Sequence, residues 1–507
     1  MPDGLSIPPL EDHLAAPRGH GRVRDGGHAG SAGGAPCGDL VTIRVSVRDG
    51  KVAEAGFDAH GCAAARAAGS AVVELVRGAP VLDAARTGPA AIDEELGGLS
   101  PERRHAVDLA ADALHRALGA AAADPGTRLA TPARGRTLVA MSGGVDSAVA
   151  AQLCRERGDD VVAVTLELWS DAANDGTRSC CSPHAVTGAR ALAHRMGLPH
   201  VTLDLNEAFR REVVDDFLAE HAGGATPNPC VRCNGLVRFG AMLGLAERVG
   251  AERLVTGHYA RIARDGHGAL VRAAADPAKD QSYMLARLDP ELLERLEFPL
   301  GELEKPRVRA IAAAAGLPVA SKPDSQDLCF LAGTSAQAFM RRHEGPRERP
   351  GEIVDEHGRV LGTHDGQHRF TVGQRRGLGI STPEPVYVIR KHAGANRVVV
   401  GPLSSLARRS VGVGGATLHR HSSAVTHVKL RYRSEPVPCR VSAAAEPGRH
   451  GRLELELGDE VHGVAPGQTA CLLRRDEVVG WATIRPDEDV FPADSVSLPM
   501  SEVAGAA

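Results

Sequence analysis

The run Leu138-Val139-Ala140-Met141-Ser142-Gly143-Gly144-Val145-Asp146-Ser147 decides the fold. Its first three residues are an apolar stretch of buried-strand type, the paired glycines favour a turn, and residues 147–157 carry helical spacing up to Gly158. A strand therefore passes through a glycine turn into a helix. Downstream the alternation recurs, with strands at 161–166, 201–205 and 253–256 and a helical stretch ending at Met196 before Gly197. Strands alternating with helices predict a doubly wound parallel sheet, an α/β domain over residues 136–335.

Toward the N-terminus, residues 1–30 are rich in Gly, His, Arg and Pro without apolar periodicity, and a disordered tail is expected. A small α+β unit is expected over 31–120. In it Val41, Ile43, Val45 and Val47 alternate with polar residues, Asp49-Gly50 signals a hairpin, and 52–57 is the return strand. Two helical patterns follow, one ending at Gly78 and one over 101–118; residues 121–135 read as a linker. Toward the C-terminus helices give out near residue 345. Short strands at 386–390, 397–400, 425–430 and 452–457 predict two β-rich domains, 336–404 and a barrel over 405–490, before a disordered tail at 491–507.

A chain of 507 residues needs several cores. Aromatic residues make up 3%, which excludes a long base-stacking platform. The net charge of -4 excludes a protein that coats nucleic acid without specificity but leaves room for a local basic patch. The N-terminus has no signal-peptide pattern and no uncharged stretch is long enough to span a bilayer, so a cytoplasmic protein without membrane contact is expected. Ten cysteines in a reducing compartment then read as ligands, nucleophiles or packing residues.

In the glycine turn, backbone N–H groups converge on one concavity at a helix N-terminus, a cradle for phosphate. The Gly-Lys-Ser/Thr ending of a Walker loop is missing. The string resembles the loop of the PP-loop ATP pyrophosphatases, which split ATP between the α and β phosphates and adenylate a substrate. That resemblance implies that Ser142, Gly144 and Ser147 hold pyrophosphate and that Asp146 approaches it through Mg2+.

An adenylated substrate is an electrophile. Cys230 and Cys233 lie in Thr226-Pro227-Asn228-Pro229-Cys230-Val231-Arg232-Cys233-Asn234, where two prolines predict an exposed, stiff loop. Cys329 follows Lys322-Pro323-Asp324-Ser325-Gln326-Asp327-Leu328. Thiolates attack activated carbonyl carbons, and Arg232 and Lys322 are close in sequence to lower a thiol's pKa. Cys230-x-x-Cys233 also has a spacing suited to zinc or an iron–sulfur cluster, with Cys329 as a third thiolate; both readings stay open. Cys154, Cys439 and Cys471 lie in apolar patterns and read as packing residues.

The loop 141–147, Cys180-Cys181-Ser182-Pro183, the 226–234 segment with Val237-Arg238-Phe239, Thr256-Gly257-His258-Tyr259, Lys279-Asp280-Gln281-Ser282-Tyr283, 324–330, and Phe370-Thr371-Val372-Gly373-Gln374-Arg375-Arg376-Gly377-Leu378-Gly379 occur in one order. Order and spacing resemble the bacterial tRNA-specific 2-thiouridylases over residues 136 to about 485. The resemblance implies Cys329 as persulfide carrier and Cys233 as the resolving nucleophile. It implies ATP contacts from Ala140, Met141, Ser142, Gly143, Gly144, Val145, Asp146, Ser147, Leu166 and Gly257. Asn228, Pro229 and Cys230 would flank the target base, and His258, Lys279, Asp280, Gln281, Arg431, Tyr432 and Gln468 would contact tRNA. Many relatives carry an acidic residue where this chain has Cys230. The implied partners are tRNAs decoding Lys, Glu and Gln, a cysteine desulfurase or sulfur-relay protein, and a thiol reductant.

Cys37-Gly38-Asp39, Gly61-Cys62 and His105 resemble the U-type iron–sulfur scaffold fold, in which three cysteines and an aspartate assemble a cluster. Here the third cysteine position is Ala106, so Cys37, Asp39, Cys62 and His105 form a mixed set for zinc or iron. Sulfur relay and desulfurase docking on the one hand, and a degenerate interaction domain on the other, stay open. Lys429-Leu430-Arg431-Tyr432-Arg433 alternates as an edge or barrel strand would, and its basic groups suit phosphate contacts. Two rival functions are a PP-loop ligase that adenylates a small molecule, which needs neither Cys233 nor Cys329, and an iron–sulfur scaffold that consumes no ATP.

Overall fold

The computed structural model describes residues 8–21, 27–34, 38–171, 183–324 and 328–486. Cys37, Cys180-Cys181-Ser182, Ser325-Gln326-Asp327 and the predicted tail at 491–507 lie outside the described residues. Two compact units form: Met1–Ala222 with Asn228–Arg347 and Leu473–Val479, and Gly223–Pro227 with Glu348–Leu472 and Gly480–Ala507.

The first unit begins with an antiparallel sheet of β1 (His28–Gly33), β2 (Leu40–Arg48) and β3 (Lys51–His60). Asp49 and Gly50 both take positive φ, 49° and 74°, the conformation of a tight hairpin turn. Val41, Ile43 and Val45 are fully buried, and the helices Ala63–Val76 and His105–Ala123 pack in the same module. Structure also occurs where a disordered tail was expected. A helix, Pro9–Ala15, buries His13, whose Nδ1 lies 2.9 Å from Ser70 Oγ. Strand β1 escapes an apolar-pattern reading because glycine does its packing: a Cβ on Gly30 would stand 2.2 Å from the Ala117 backbone nitrogen.

Next comes the parallel sheet, from β4 (Arg136–Ala140), β5 (Asp160–Glu167), β6 (His200–Asp204) and β7 (Arg253–Thr256). A hairpin of β8 (Arg261–Asp265) and β9 (Gly268–Arg272) precedes the short β10 (Leu296–Glu297). The order is β10-β7-β4-β5-β6, so successive strands reverse direction across the sheet at β4. In open α/β sheets that reversal opens a crevice at the strands' carboxyl ends. Leu138, Val139, Val162, Val164, Leu254 and Val255 are all buried, as a sheet covered on both faces requires.

The linker expectation needs correction. Helix His105–Ala123 runs past residue 120, and the strap after it is pinned, with Leu129 and Ala130 N–H donating to Arg248 O at 2.9 and 3.1 Å. The front module and the α/β domain also meet at a buried joint. His115, His194 and His200 have ring centroids 5.1 to 6.5 Å apart, and Arg190 pairs with Asp112 at 2.9 Å.

The second unit holds two β arrays. In the first, β11 (Gly351–Val354), β12 (Val360–His364), β13 (Tyr387–His392) and β14 (Arg397–Gly401) run β12-β11-β14-β13. The second contains β15 (Ala407–Leu418), β16 (His427–Lys429), β17 (Val437–Val441), β18 (Gly448–His462), and the parts of β19 (Thr469–Arg474) and β20 (Glu477–Ile484) that lie outside Leu473–Val479. Their order β15-β18-β17-β16-β19-β20 closes on itself through β15–β20 pairing, a barrel. The strand expected through Arg433 stops at Lys429. Ser434 Oγ donates to Arg431 O at 3.0 Å and turns the chain there.

Candidate active site

The glycine loop crosses from β4 into helix Val145–Glu156, at the crevice the strand order opens. Gly143 has φ +70°, which a side chain would strain. Ser147 is buried, and its Oγ donates to Gly144 O and accepts from Ser142 N, both at 3.1 Å. The loop is thus held by its own hydroxyl before any phosphate arrives. Lys322 Nζ donates to Gly143 O at 2.9 Å, setting a cation beside the loop. Ala140 pairs with Val164 and Thr256, so Ala140, Leu166 and Gly257 stand at the carboxyl ends of three adjacent strands. A Cβ at Gly257 would meet Asp146 C and Ser147 N at 2.8 Å; only glycine allows β7 to end this close to the loop.

Asp146 is the hub of a charge cluster. Lys305 Nζ reaches its two oxygens at 2.7 and 2.8 Å, and Tyr259 Oη donates to it at 2.8 Å. Lys305 also pairs with Asp324 at 2.8 Å, which Lys279 and Arg309 contact at 2.8 and 2.9 Å. Burial alone would raise the Asp324 carboxyl, but Lys279 and Lys305 hold it below its ordinary range. In return Asp324 lifts Lys279. Burial and the Asp146 charge push the Tyr259 phenol up, so it stays a donor. Lys305 and Arg309 were missed in the sequence. The available signal was Lys305 on the first turn of helix Lys305–Ala314, a turn that holds no acidic residue and where a cation opposes the helix dipole.

The segment expected as a stiff loop is a short helix, Pro229–Cys233. Proline at the first helical position loses no needed N–H, and Asn228 Oδ1 caps the turn by accepting from Val231 N at 3.2 Å. A π-helical turn, Asn234–Arg238, follows directly. Cys233 is 4% exposed within a hydrophobic cluster with Phe209, Phe217, Phe330 and Phe339, against which Leu166 and Cys329 also pack. Arg232 turns instead to Glu212 and Asp216, at 3.9 and 3.3 Å. Cys230 is half-buried. Among the described residues the one group of three candidate ligands with atoms within 4.8 Å is elsewhere, so Cys230, Cys233 and Cys329 are not gathered as a cluster site in this arrangement. Cys154, Cys439 and Cys471 are buried as expected, and burial pushes Cys154 and Cys439 up to about 12.

The expected tRNA contacts divide. His258 is half-buried between the Phe239 and Phe298 rings, with Nδ1 2.7 Å from Thr256 Oγ1. Burial and the Arg238 charge depress it to about 3, so any contact it makes is as a neutral imidazole. Asp280 accepts from Ala274 N, Ser282 N and Ser282 Oγ at 3.0, 3.1 and 2.8 Å, and Gln281 Oε1 accepts from Tyr259 N at 2.9 Å. Both therefore shape the turn that presents Lys279. Arg431, Tyr432 and Gln468 belong to the second unit, where Gln468 Nε2 donates to Thr226 O at 2.6 Å.

In the front module Asp39 is 1% exposed at the centre of the expected ligand set. Its Oδ1 accepts from Cys62 N at 2.8 Å, and its Oδ2 lies 3.1 Å from Cys62 Sγ and 2.9 Å from His105 Nε2. His105 Nδ1 faces Glu102 O at 3.0 Å, which turns Nε2 toward Asp39. Burial and then Asp39 push the Cys62 thiol up. Gly61 is required here, because a Cβ would stand 1.9 Å from Asp39 Oδ1. The donor set suits zinc or iron, with Ala106 fully buried beside it.

These features define an α/β enzyme of the adenylating, pyrophosphate-cradling class carrying an iron–sulfur-scaffold-type module at its front. Residues 135–333 match the tRNA methyl transferase HUP domain family, 9–124 the NifU-like N terminal domain, 337–402 the tRNA methyl transferase PRC-barrel domain and 415–484 the aminomethyltransferase beta-barrel domain. The bifunctional protein NifU/MnmA of Rubrobacter xylanophilus is 45% identical over 490 residues, 94% of this chain and 98% of that protein. The tRNA-specific 2-thiouridylases MnmA of Methylobacterium radiotolerans and Geobacter metallireducens are 44% and 42% identical, covering 70% and 69% of this chain and 94% and 97% of theirs. The chain belongs to the MnmA family, in the form fused to a NifU-like domain.

Proposed function

We propose that this chain thiolates tRNA, replacing the C2 oxygen of a wobble uridine with sulfur at the expense of ATP. One observation carries the reading: Cys233 lies in a hydrophobic cluster against which Cys329 and Leu166 pack, and Leu166 is the last residue but one of the strand beside the phosphate-loop strand. A thiol pair adjacent to an adenylation site has a use in sulfur transfer and none in amide ligation.

The chemistry follows in order. Uridine O2 attacks the α-phosphorus of ATP, and pyrophosphate leaves into the cradle of Ser142, Gly144 and Ser147. The terminal sulfur of a Cys329 persulfide attacks C2, and AMP departs with the oxygen. The Cys233 thiolate attacks Cys329 Sγ, cleaving the sulfur–sulfur bond; two thiols become a disulfide as the sulfane sulfur is reduced into 2-thiouridine. A two-electron thiol reductant resets the pair. Mg2+ fits a site with one carboxylate and substrate phosphates, and Asp146 is the residue to hold it, with Lys305 giving way. When bound, the ion neutralises phosphate charge. Lys279, Lys305 and Lys322 supply further positive charge at the same place.

Asn228, Pro229 and Cys230 would flank the flipped base, with tRNAs for Lys, Glu and Gln as substrates and the cytoplasm as the setting. Among the described residues no helix is long and apolar enough to cross a membrane. The front module would receive sulfur from a cysteine desulfurase, by docking or relay through Cys62 and Cys37.

The test combines purified protein, unmodified tRNA, Mg-ATP, cysteine and a desulfurase, with 2-thiouridine, AMP and pyrophosphate measured. Thiolation lost in Cys233→Ala and in Cys329→Ala supports the reading, and Cys37→Ala/Cys62→Ala separates relay from direct delivery. AMP release that is indifferent to both thiols and gives no thiolated base would replace it with a small-molecule ligase.

A further inference from the structure

The front module meets the α/β domain at β6, an edge strand of the parallel sheet. Helix His105–Ala123 comes so close there that a Cβ on Gly119 would stand 2.6 Å from Thr202 O. Beside this contact the front module's backbone at residues 85–87 is fastened from both sides. His115, on the module's own helix, donates from Nε2 to Thr87 O at 2.9 Å. From the α/β domain, His194 Nε2 and the His200 backbone N–H both donate to Ala85 O, at 3.0 and 3.1 Å.

His200 continues inward. Its Nε2 lies 2.8 Å from Thr165 Oγ1 on β5, and Thr165 Oγ1 donates to Met141 O at 2.8 Å. A hydroxyl has one proton and a carbonyl can only accept, so His200 Nε2 carries the proton of the outer bond. Met141, Thr165 and His200 are all buried. Packing alone does not account for the histidine. Its Nδ1 is buried with no hydrogen-bond partner among the described residues, a cost that an aliphatic side chain would avoid.

The inner end of this chain of bonds is the phosphate loop. Met141 O and Ser142 N belong to one planar peptide unit. Thr165 holds that unit by its oxygen, and Ser147 Oγ holds it by its N–H at 3.1 Å. Met141 N is fixed in turn by Val164 O at 2.7 Å. The orientation of the first peptide of the loop is therefore set from β5, and β5 is braced through His200 by the front module.

We propose that Thr165 and His200 are positioning residues for the phosphate loop, and that through them the front module sets the loop's hold on ATP. The inference rests on the adenylation reading above for what the loop binds. It gives the front module a part in the ATP step that is separate from any metal or sulfur it carries.

The test uses the full chain with Thr165→Val, Thr165→Ser, His115→Leu and the double variant Thr165→Val/His115→Leu. Valine keeps the shape of threonine and removes both bonds, serine keeps the hydroxyl, and His115→Leu frees Thr87 on the front-module side. Two quantities are read: amide hydrogen exchange over residues 142–147 without nucleotide, and Kd for a non-hydrolysable ATP analogue. In Thr165→Val both should rise about ten-fold, with a smaller rise in His115→Leu and near wild-type behaviour in Thr165→Ser. The double variant should match Thr165→Val alone, because the module's effect passes through the threonine. A merely structural role would lower the fraction of active protein and leave Kd unchanged. Wild-type exchange in Thr165→Val, an equal rise in Thr165→Ser, or effects that multiply in the double variant overturn the proposal. If Thr165→Val does not fold, His115→Leu decides alone: faster loop exchange supports the proposal and wild-type exchange overturns it. Wild-type protein that binds no ATP analogue would refute the adenylation reading instead, and the exchange comparison still decides the positioning role.

Discussion

Gly257→Ala isolates the contact that brings the end of β7 against the phosphate loop. The added Cβ would lie 2.8 Å from Asp146 C and Ser147 N and 3.0 Å from Asp146 O. Carbon contacts are comfortable at about 3.5–4.0 Å, so the shortfall is roughly 0.7 Å or more. All three obstructing atoms are backbone in the first turn of Val145–Glu156, so no side chain can rotate away. Overpacking of this kind costs about 1–3 kcal/mol. The loop is the part able to yield, and yielding breaks the Ser142–Ser147 geometry proposed to cradle phosphate. The expected fall in kcat/KM for ATP is therefore roughly 5- to 150-fold, with the thermal midpoint lowered by a few degrees at most. Gly240→Ala is the internal comparison, because that helical glycine has nothing within 4 Å and should be neutral or slightly stabilised. Pyrophosphate release with saturating tRNA is the assay. Wild-type kcat/KM in Gly257→Ala, with a normal melt, would falsify the claim that β7 and the loop are in forced contact.

Three further outcomes are expected. Lys305→Met removes the shared cation of Asp146 and Asp324 and should cost about 1–3 kcal/mol, discounted because both carboxylates are partly exposed. Urea midpoints would show it, and adding Asp146→Asn should recover part of the loss; no change in midpoint refutes the bridge. The His115 and His200 imidazoles are held well below their ordinary 6.5, by burial and then by Arg190. Unfolded histidines take up protons that the folded ones refuse, so their contribution is complete above about pH 6.5. It is lost as pH falls toward the depressed folded values, at up to about 1.4 kcal/mol per pH unit for each histidine. His115→Gln/His200→Gln should flatten that part of the urea-midpoint profile, and an unaltered slope would count against the buried joint. Zinc added to metal-free protein should raise the melting temperature through Asp39, Cys62 and His105, by about 2.7 kcal/mol of stabilisation at a hundred times Kd. Asp39→Asn should abolish that shift, and a shift that survives it places the metal elsewhere.

How much was legible can be judged residue by residue. The turn at Asp49-Gly50, the strand Arg253–Thr256 and the helix after the glycine loop follow from local pattern, because φ preference and apolar periodicity act over a few residues. Strand β1 and helix Pro9–Ala15 did not, since their packing relies on Gly30 and His13, which carry no hydrophobic signal. The Pro229–Cys233 helix was misread because proline was weighed as a helix breaker and not as a first-turn residue.

The sequence by itself determined the glycine loop and the sheet type, and it pointed to Cys233 and Cys329 and to the acid–thiol–imidazole set of the front module, each written in short strings whose chemistry is local. Only the tertiary structure decided that Lys305 joins Asp146 to Asp324 and that Leu166, Cys233 and Cys329 adjoin one cluster. Those partners lie tens to hundreds of residues apart. Long-range ion pairs and shared clusters depend on how elements pack, and no local preference along the chain encodes which distant side chains will meet.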